Sequence, residues 1–145
     1  MQYDINKFID AQKTSHNRVI SELKNEYKES HWMWFTFPQI AELGYSEVSR
    51  YYAIHNRVEL QEFVSNQYLL DNLIECISVL LNTSTNNPIA IFGELDALKL
   101  QSSMTLFRNV AILHDICDRV LIKFFDGTID LNTYTIMRTR KEWEV

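Results

Sequence analysis

Asp96, Lys99 and Ser103 stand at i, i+3 and i+7. With about 100° of turn per residue they share one strip of a helix. Leu100, Met104 and Phe107 flank that strip on one side, and Leu95 and Leu106 on the other. A carboxylate, an ammonium and a hydroxyl facing a core are costly unless they satisfy one another or a ligand. One account is a structural network, an Asp96–Lys99 pair closed by the Ser103 hydroxyl. The other has Lys99 and the hydroxyls of Ser102, Ser103 and Thr105 receiving an anionic group while Asp96 holds the lysine. Thr105 projects from the opposite face, so it joins Ser103 only if the helix ends or bends near Ser102. A Ser–Lys nucleophile is disfavoured, because Asp96 keeps the lysine charged and a poor base.

A second concentration of chemistry is SHWMWFTFPQ, residues 30–39. Trp32, Trp34 and Phe37 form an apolar wall edged by Lys28, His31 and Gln39, the make-up of a small-molecule pocket. The two tryptophans, at i and i+2, point to opposite sides, so one packs inward while the other lines a cleft. His31 reads as a partly buried residue bonded to a backbone carbonyl, as a general acid or base, or as a donor to a ligand phosphate. No metal is expected: His16, His31, His55 and His114 show no HxxxH or HxH spacing. No cofactor is expected either, for no glycine-rich phosphate loop occurs, and no GxSxG elbow is present for a hydrolase serine. The pairs Glu59/Glu62 and Asp115/Asp118 read as solvated surface charge.

Elements that would position these groups are helical. Three glycines and two prolines are few for 145 residues, and apolar residues recur at three- and four-residue steps. Ile5, Phe8 and Ile9 predict a short first helix. Ile20, Leu23 and Tyr27 predict a second, capped by Thr14 or Ser15. Pro38 is placed to open a short helix through Ala41, with Gly44 just past its end. Ser46 can cap a helix through Tyr52, and Val58 to Leu81 reads as one long helix or two abutting ones. The run NTSTNNP, residues 82–88, is a loop whose Pro88 can open the next helical turn. Glu94 to Val110 is helical by pattern, His114 to Phe125 is a helix stopped by Gly127, and Asp130 is the N-cap of a last one. The expectation is an all-α fold, a compact single-domain bundle of about six to eight helices over residues 1–145.

Composition bounds the function. A net charge of −5 argues against a nucleic-acid footprint, the only dense basic run being Arg138 to Lys141. No membrane partner is expected, since no run of eighteen apolar residues and no export signal occurs. Cys76 and Cys117 sit in apolar helical stretches without CxxC spacing, which predicts two buried thiols, a reducing compartment and a cytoplasmic location. A monomer or small homo-oligomer is expected.

The strings KESHWMWFTFPQIAELG and DALKLQSSMTLF resemble the two signature stretches of family 1810 of the bacterial domains of unknown function. Similarity also reaches Tyr52-Ala53-Ile54 and FFDGTIDLNT, nearly the whole chain. The resemblance implies a compact, mainly helical domain and supplies no activity. Its motif positions fall on Lys28, Ser30, His31, Trp32, Trp34, Phe37, Pro38 and Gln39, and on Asp96, Lys99, Ser102, Ser103, Met104, Thr105 and Phe107. The family pattern carries a glycine one or two residues before the position of Lys28, where Glu26-Tyr27 stand here, and that departure bears on the local turn. Three functions are compatible with these readings. They are a binding module for an anionic, ring-containing molecule such as a nucleotide derivative, an enzyme acting on a nucleotide-like or glycosidic substrate with His31 or Asp96 as acid or base, and an interaction domain with a buried polar network.

Overall fold

The computed structural model describes residues 4–44 and 46–144. It is all-α, with eight α-helices among the described residues: α1 (Asn6–Lys24), α2 (Met33–Thr36), α3 (Glu47–Tyr51), α4 (Arg57–Ser65), α5 (Gln67–Leu81), α6 (Pro88–Phe107), α7 (His114–Phe125) and α8 (Leu131–Thr139). α1 packs on α5, α7 on both α5 and α6, and α8 on α6. An aromatic chain runs through the core: Phe8 edge-on to Phe63 at 5.0 Å, then Phe107 at 5.4 Å from Phe63. A second cluster joins Trp32, Phe37 and Phe92 at 6.3–6.5 Å. No helix is long and apolar enough to cross a membrane among the described residues.

The first two helices expected from the sequence are one. Thr14 donates to the Ala11 carbonyl at 3.2 Å instead of capping a new helix, a back-bond that lets a hydroxyl sit inside a helix. Two residues earlier, buried Gln12 donates to the Phe35 carbonyl at 2.8 Å and accepts from Asn72 at 3.0 Å, tying α1 to α2 and α5. Val58 to Leu81 resolves into two abutting helices, with Asn66 accepting from the Leu69 amide at the join. Ser46, Asn87 and Asp130 cap α3, α6 and α8, and Pro88 opens α6.

The short helix expected from Pro38 is absent. A proline disfavours the α conformation of the residue before it. Phe37 accordingly takes φ −124° and ψ 73°, and α2 stops at Thr36. The chain then runs extended, and Ile40 forms a parallel bridge with Ile54 through Ala41 N to Ile54 O at 2.8 Å and Ile54 N to Gln39 O at 2.9 Å. Both isoleucines are buried, so the bridge serves packing.

Two left-handed positions shape the rest. Gly93, at φ 80° and ψ 169°, splits α6 into Pro88–Phe92 and a straight helix from Glu94 to Phe107. Glu26, at φ 57°, occupies the turn after α1.

Candidate functional site

The kink at Gly93 opens the site. A helix broken there cannot supply all its own donors to the preceding turn, and the Ile91 carbonyl instead accepts the Lys28 amide at 2.8 Å. That bond fixes the chain after α1 beside the first turn of the second α6 segment, which begins with Glu94 and contains Asp96. Acidic residues there meet the positive end of the helix dipole.

The side chains then meet. Lys28 Nζ lies 2.8 Å from Asp96 Oδ2, and Lys99 Nζ lies 3.0 Å from Asp96 Oδ1. Lys99 is thus paired with Asp96 as its spacing predicts, while Ser103 takes no part and Lys28 joins from the other motif. The Lys28 side chain is only 8% exposed, against 25% for Lys99 and 19% for Asp96. Burial would raise the pKa of Asp96, and the hydrogen bonds and charges of the two ammonium groups outweigh it, holding the carboxyl below its usual range. Each ammonium also lies over an indole, Lys28 at 5.2 Å from the Trp32 ring and Lys99 at 4.8 Å from that of Trp34.

The two tryptophans differ in burial, and Trp32 is the one that packs inward. Trp32 is 1% exposed, packed against Phe37 and Phe92, while Trp34 stays half-buried. The Trp32 indole donates to Glu22 Oε1 at 2.9 Å, and the same carboxylate accepts the amides of Glu29 at 2.7 Å and Ser30 at 3.0 Å and the Ser30 hydroxyl. Burial would raise the Glu22 pKa; the bonds from the Ser30 hydroxyl and amide, the Glu29 amide and Trp32 win and bring it to about 2. Glu22, outside both motifs, was missed in the sequence. Its signal is a carboxylate one position before Leu23 on the buried face of α1.

The remaining motif residues mostly end on protein. Gln39 donates to Ser102 Oγ at 2.7 Å, and Ser102 donates to the Lys99 carbonyl at 3.1 Å. Phe37 and Phe107 are wholly buried. The helix neither ends nor bends at Ser102, and Thr105 accordingly lies elsewhere: it donates to the Gln101 carbonyl at 2.8 Å and accepts the Asp130 amide at 2.9 Å, fastening α8. Ser103 is 0% exposed and its hydroxyl has no hydrogen-bond partner among the described residues. His31 is exposed and makes no hydrogen bond or ion pair among them. Leu95, expected on the apolar arc, is 75% exposed, and Leu98 after it is 60% exposed, so that side of the segment faces solvent while Ala97 and Leu100 face the core.

One expected surface charge is internal. Glu59 is buried, its Oε1 accepting the His55 amide at 2.7 Å and bonded to His55 Nδ1 at 2.8 Å, with Lys7 Nζ 3.8 Å from Oε2. A position in the first turn of α4, beside the Asn56 cap, turns it inward. Glu62, Asp115 and Asp118 are exposed or half-buried.

The family model described as protein of unknown function, DUF1810, matches residues 2–137. A solved structure, that of the conserved hypothetical protein Rv1873 from Mycobacterium tuberculosis, is similar at 33% identity with a TM-score of 0.91, over 95% of this chain and 99% of that one. The curated proteins yield no match. With a family match over nearly its full length and the same fold in a relative at that identity, the chain belongs to the DUF1810 family of proteins of unknown function.

Proposed function

We propose that this protein binds a small anionic molecule carrying a ring, such as a nucleotide derivative, at the surface made by Lys99, Trp34 and the Lys28–Asp96 pair. The observation that carries this reading is two ammonium groups on one carboxylate. The cluster keeps one positive charge that Asp96 cannot neutralise, in a protein of net charge −5. Each ammonium has three N–H donors and one oxygen partner here, which leaves donors for the oxygens of an anion. The half-buried Trp34 indole offers an apolar face to a ring, and exposed His31, three residues before it, is a further donor.

The alternatives rest on different groups. An enzyme on a nucleotide-like or glycosidic substrate would use His31, since Asp96, with both oxygens bonded to ammonium groups and its pKa lowered, is a poor proton shuttle. A purely structural role, in an interaction domain, is favoured by the way Ser30, Trp32, Gln39 and Ser102 all bond protein groups.

Titration of adenosine monophosphate, adenosine and inorganic phosphate, read by calorimetry, separates these readings. Binding of the monophosphate, lost in Lys99→Met with the melting temperature kept, supports the module. A Lys99→Met variant that unfolds supports the structural role. Turnover of the bound compound that His31→Ala abolishes while retaining affinity supports the enzyme.

A further inference from the structure

Away from the lysine cluster, three arginines line a hollow between α6, α8 and the start of α4. Its volume is about 220 Å³, and Arg57, Arg108 and Arg138 stand around it with Asn109 and Tyr134. Only one of the three guanidinium groups is neutralised: Arg108 is held by Asp118 through Nε at 2.6 Å and Nη2 at 3.2 Å. Arg57 and Arg138 have no carboxylate partner among the described residues.

Their hydrogen-bond accounts are open as well. A guanidinium carries five N–H donors in a fixed fork. Arg57 uses Nε on the Trp143 carbonyl, which leaves both of its terminal nitrogens. Arg138 donates from Nη1 to the Tyr134 hydroxyl at 3.1 Å and lies 5.4 Å over that ring. Both are therefore oriented by the protein without being satisfied by it, so little ordering is left to be done when an anion arrives.

Arg57 and Asn109 also border a second hollow of about 460 Å³, which continues past Val58, Leu60, Val110 and Ala111. That end is apolar and Val58 is exposed in it. Its acidic neighbour, Glu62, lies at this end, so an anionic group is repelled from the apolar half and drawn to the arginine half. Two open guanidinium groups from separate elements, Arg57 of α4 and Arg138 of α8, line one hollow beside the Asp118-held Arg108, a donor set that suits a tetrahedral group with several oxygens.

We propose that the two joined hollows form one site for a small phosphomonoester with an apolar body, the phosphate between Arg57 and Arg138 and the body along Val58 and Val110. This site is separate from the lysine cluster and stands or falls without it.

The probes are phenyl phosphate, inorganic phosphate and phenol, titrated into the intact protein at low salt and read by calorimetry. Phenyl phosphate should bind more tightly than inorganic phosphate and far more tightly than phenol, with affinity falling as salt rises. Arg138→Gln, at an exposed position with no ion pair, should weaken phenyl phosphate about tenfold or more while leaving the melting temperature in place. Lys99→Met should leave its affinity unchanged. Absence of phenyl phosphate binding to the wild type, equal affinity in Arg138→Gln, or loss of binding in Lys99→Met each overturns the assignment. Equal affinity for phenyl phosphate and inorganic phosphate overturns the apolar half. Should Arg138→Gln fail to fold, Arg57→Gln carries the same expectation for affinity.

Discussion

Replacing Glu22 by glutamine should flatten the acid limb of the stability curve. In the wild type the folded carboxyl titrates at about 2, against about 4.3 in an unfolded chain. The folded value is the depressed one, so the stabilisation is fully present above the unfolded pKa and is lost as pH falls from about 5 to about 2. A shift of that size corresponds to at most about 3 kcal/mol at pH 7, of which about 2 kcal/mol has gone by pH 3. Glutamine keeps an acceptor for the Glu29 and Ser30 amides and the Trp32 indole, all of which bond Oε1. It gives up the charge and the Oε2 acceptor of the Ser30 hydroxyl. Glu22→Gln should therefore cost about 2–3 kcal/mol at pH 7, within the usual worth of hydrogen bonds to a charged group. Urea titrations at pH 7 and pH 3, followed by tryptophan fluorescence, give both numbers. The gap between wild type and variant should shrink by about 2 kcal/mol on going to pH 3. A gap that stays constant across that interval would refute the assignment of the carboxylate as the hub of the aromatic motif.

Two further substitutions probe the frame around the lysine cluster. Ser103→Ala removes a buried hydroxyl that has no partner, and since an unsatisfied polar group costs about 1–3 kcal/mol, the variant should be more stable by about 1 kcal/mol in thermal unfolding; a destabilised variant would reveal a partner for that oxygen. Gly93→Ala puts a Cβ where φ is 80° with nothing within 4 Å to clash, so its cost is backbone strain alone, about 1–2 kcal/mol in chemical denaturation, and a neutral result would mean that the kink can shift to a neighbouring residue.

The elements were legible where local chemistry decides. Ser46 and Asp130 accept from backbone amides of their own first turns, and Gly127 takes φ 76° just after α7, all interactions within a few residues of chain. Misreadings came where tertiary or competing local preferences decided. At Pro38 the restriction on the preceding residue overrode the preference of proline for a first helical turn. At Thr14 a bond back to Ala11 absorbed the hydroxyl that a cap would have used. The Asp96–Lys99 pair was readable from a three-residue spacing. Its second lysine was not, because Lys28 reaches Asp96 only through the Ile91 carbonyl that Gly93 releases, and Gly93 gives no hint in sequence of which distant amide will take that bond. Glu22, Arg57 and Arg108 were invisible for the same reason, and Glu59 and Arg138 were read only as surface charge and as part of a basic run: single charged residues on otherwise unremarkable helices acquire meaning from their partners.

The left-handed Glu26 has a consequence for how the molecule opens. Its carboxylate accepts the amides of Ser84 and Thr85, each at 3.0 Å, and the Ser84 hydroxyl. From the far side of that loop, Lys123 of α7 donates to the Thr83 carbonyl at 2.9 Å and to Asn86 at 2.8 Å. A glycine at position 26 would relax the backbone and surrender the clasp. With glutamate there, the end of α1, the crossing from α5 to α6 and the flank of α7 are laced into a single unit, so that the polar loop of residues 82–88 frays in concert with three helices instead of breathing alone.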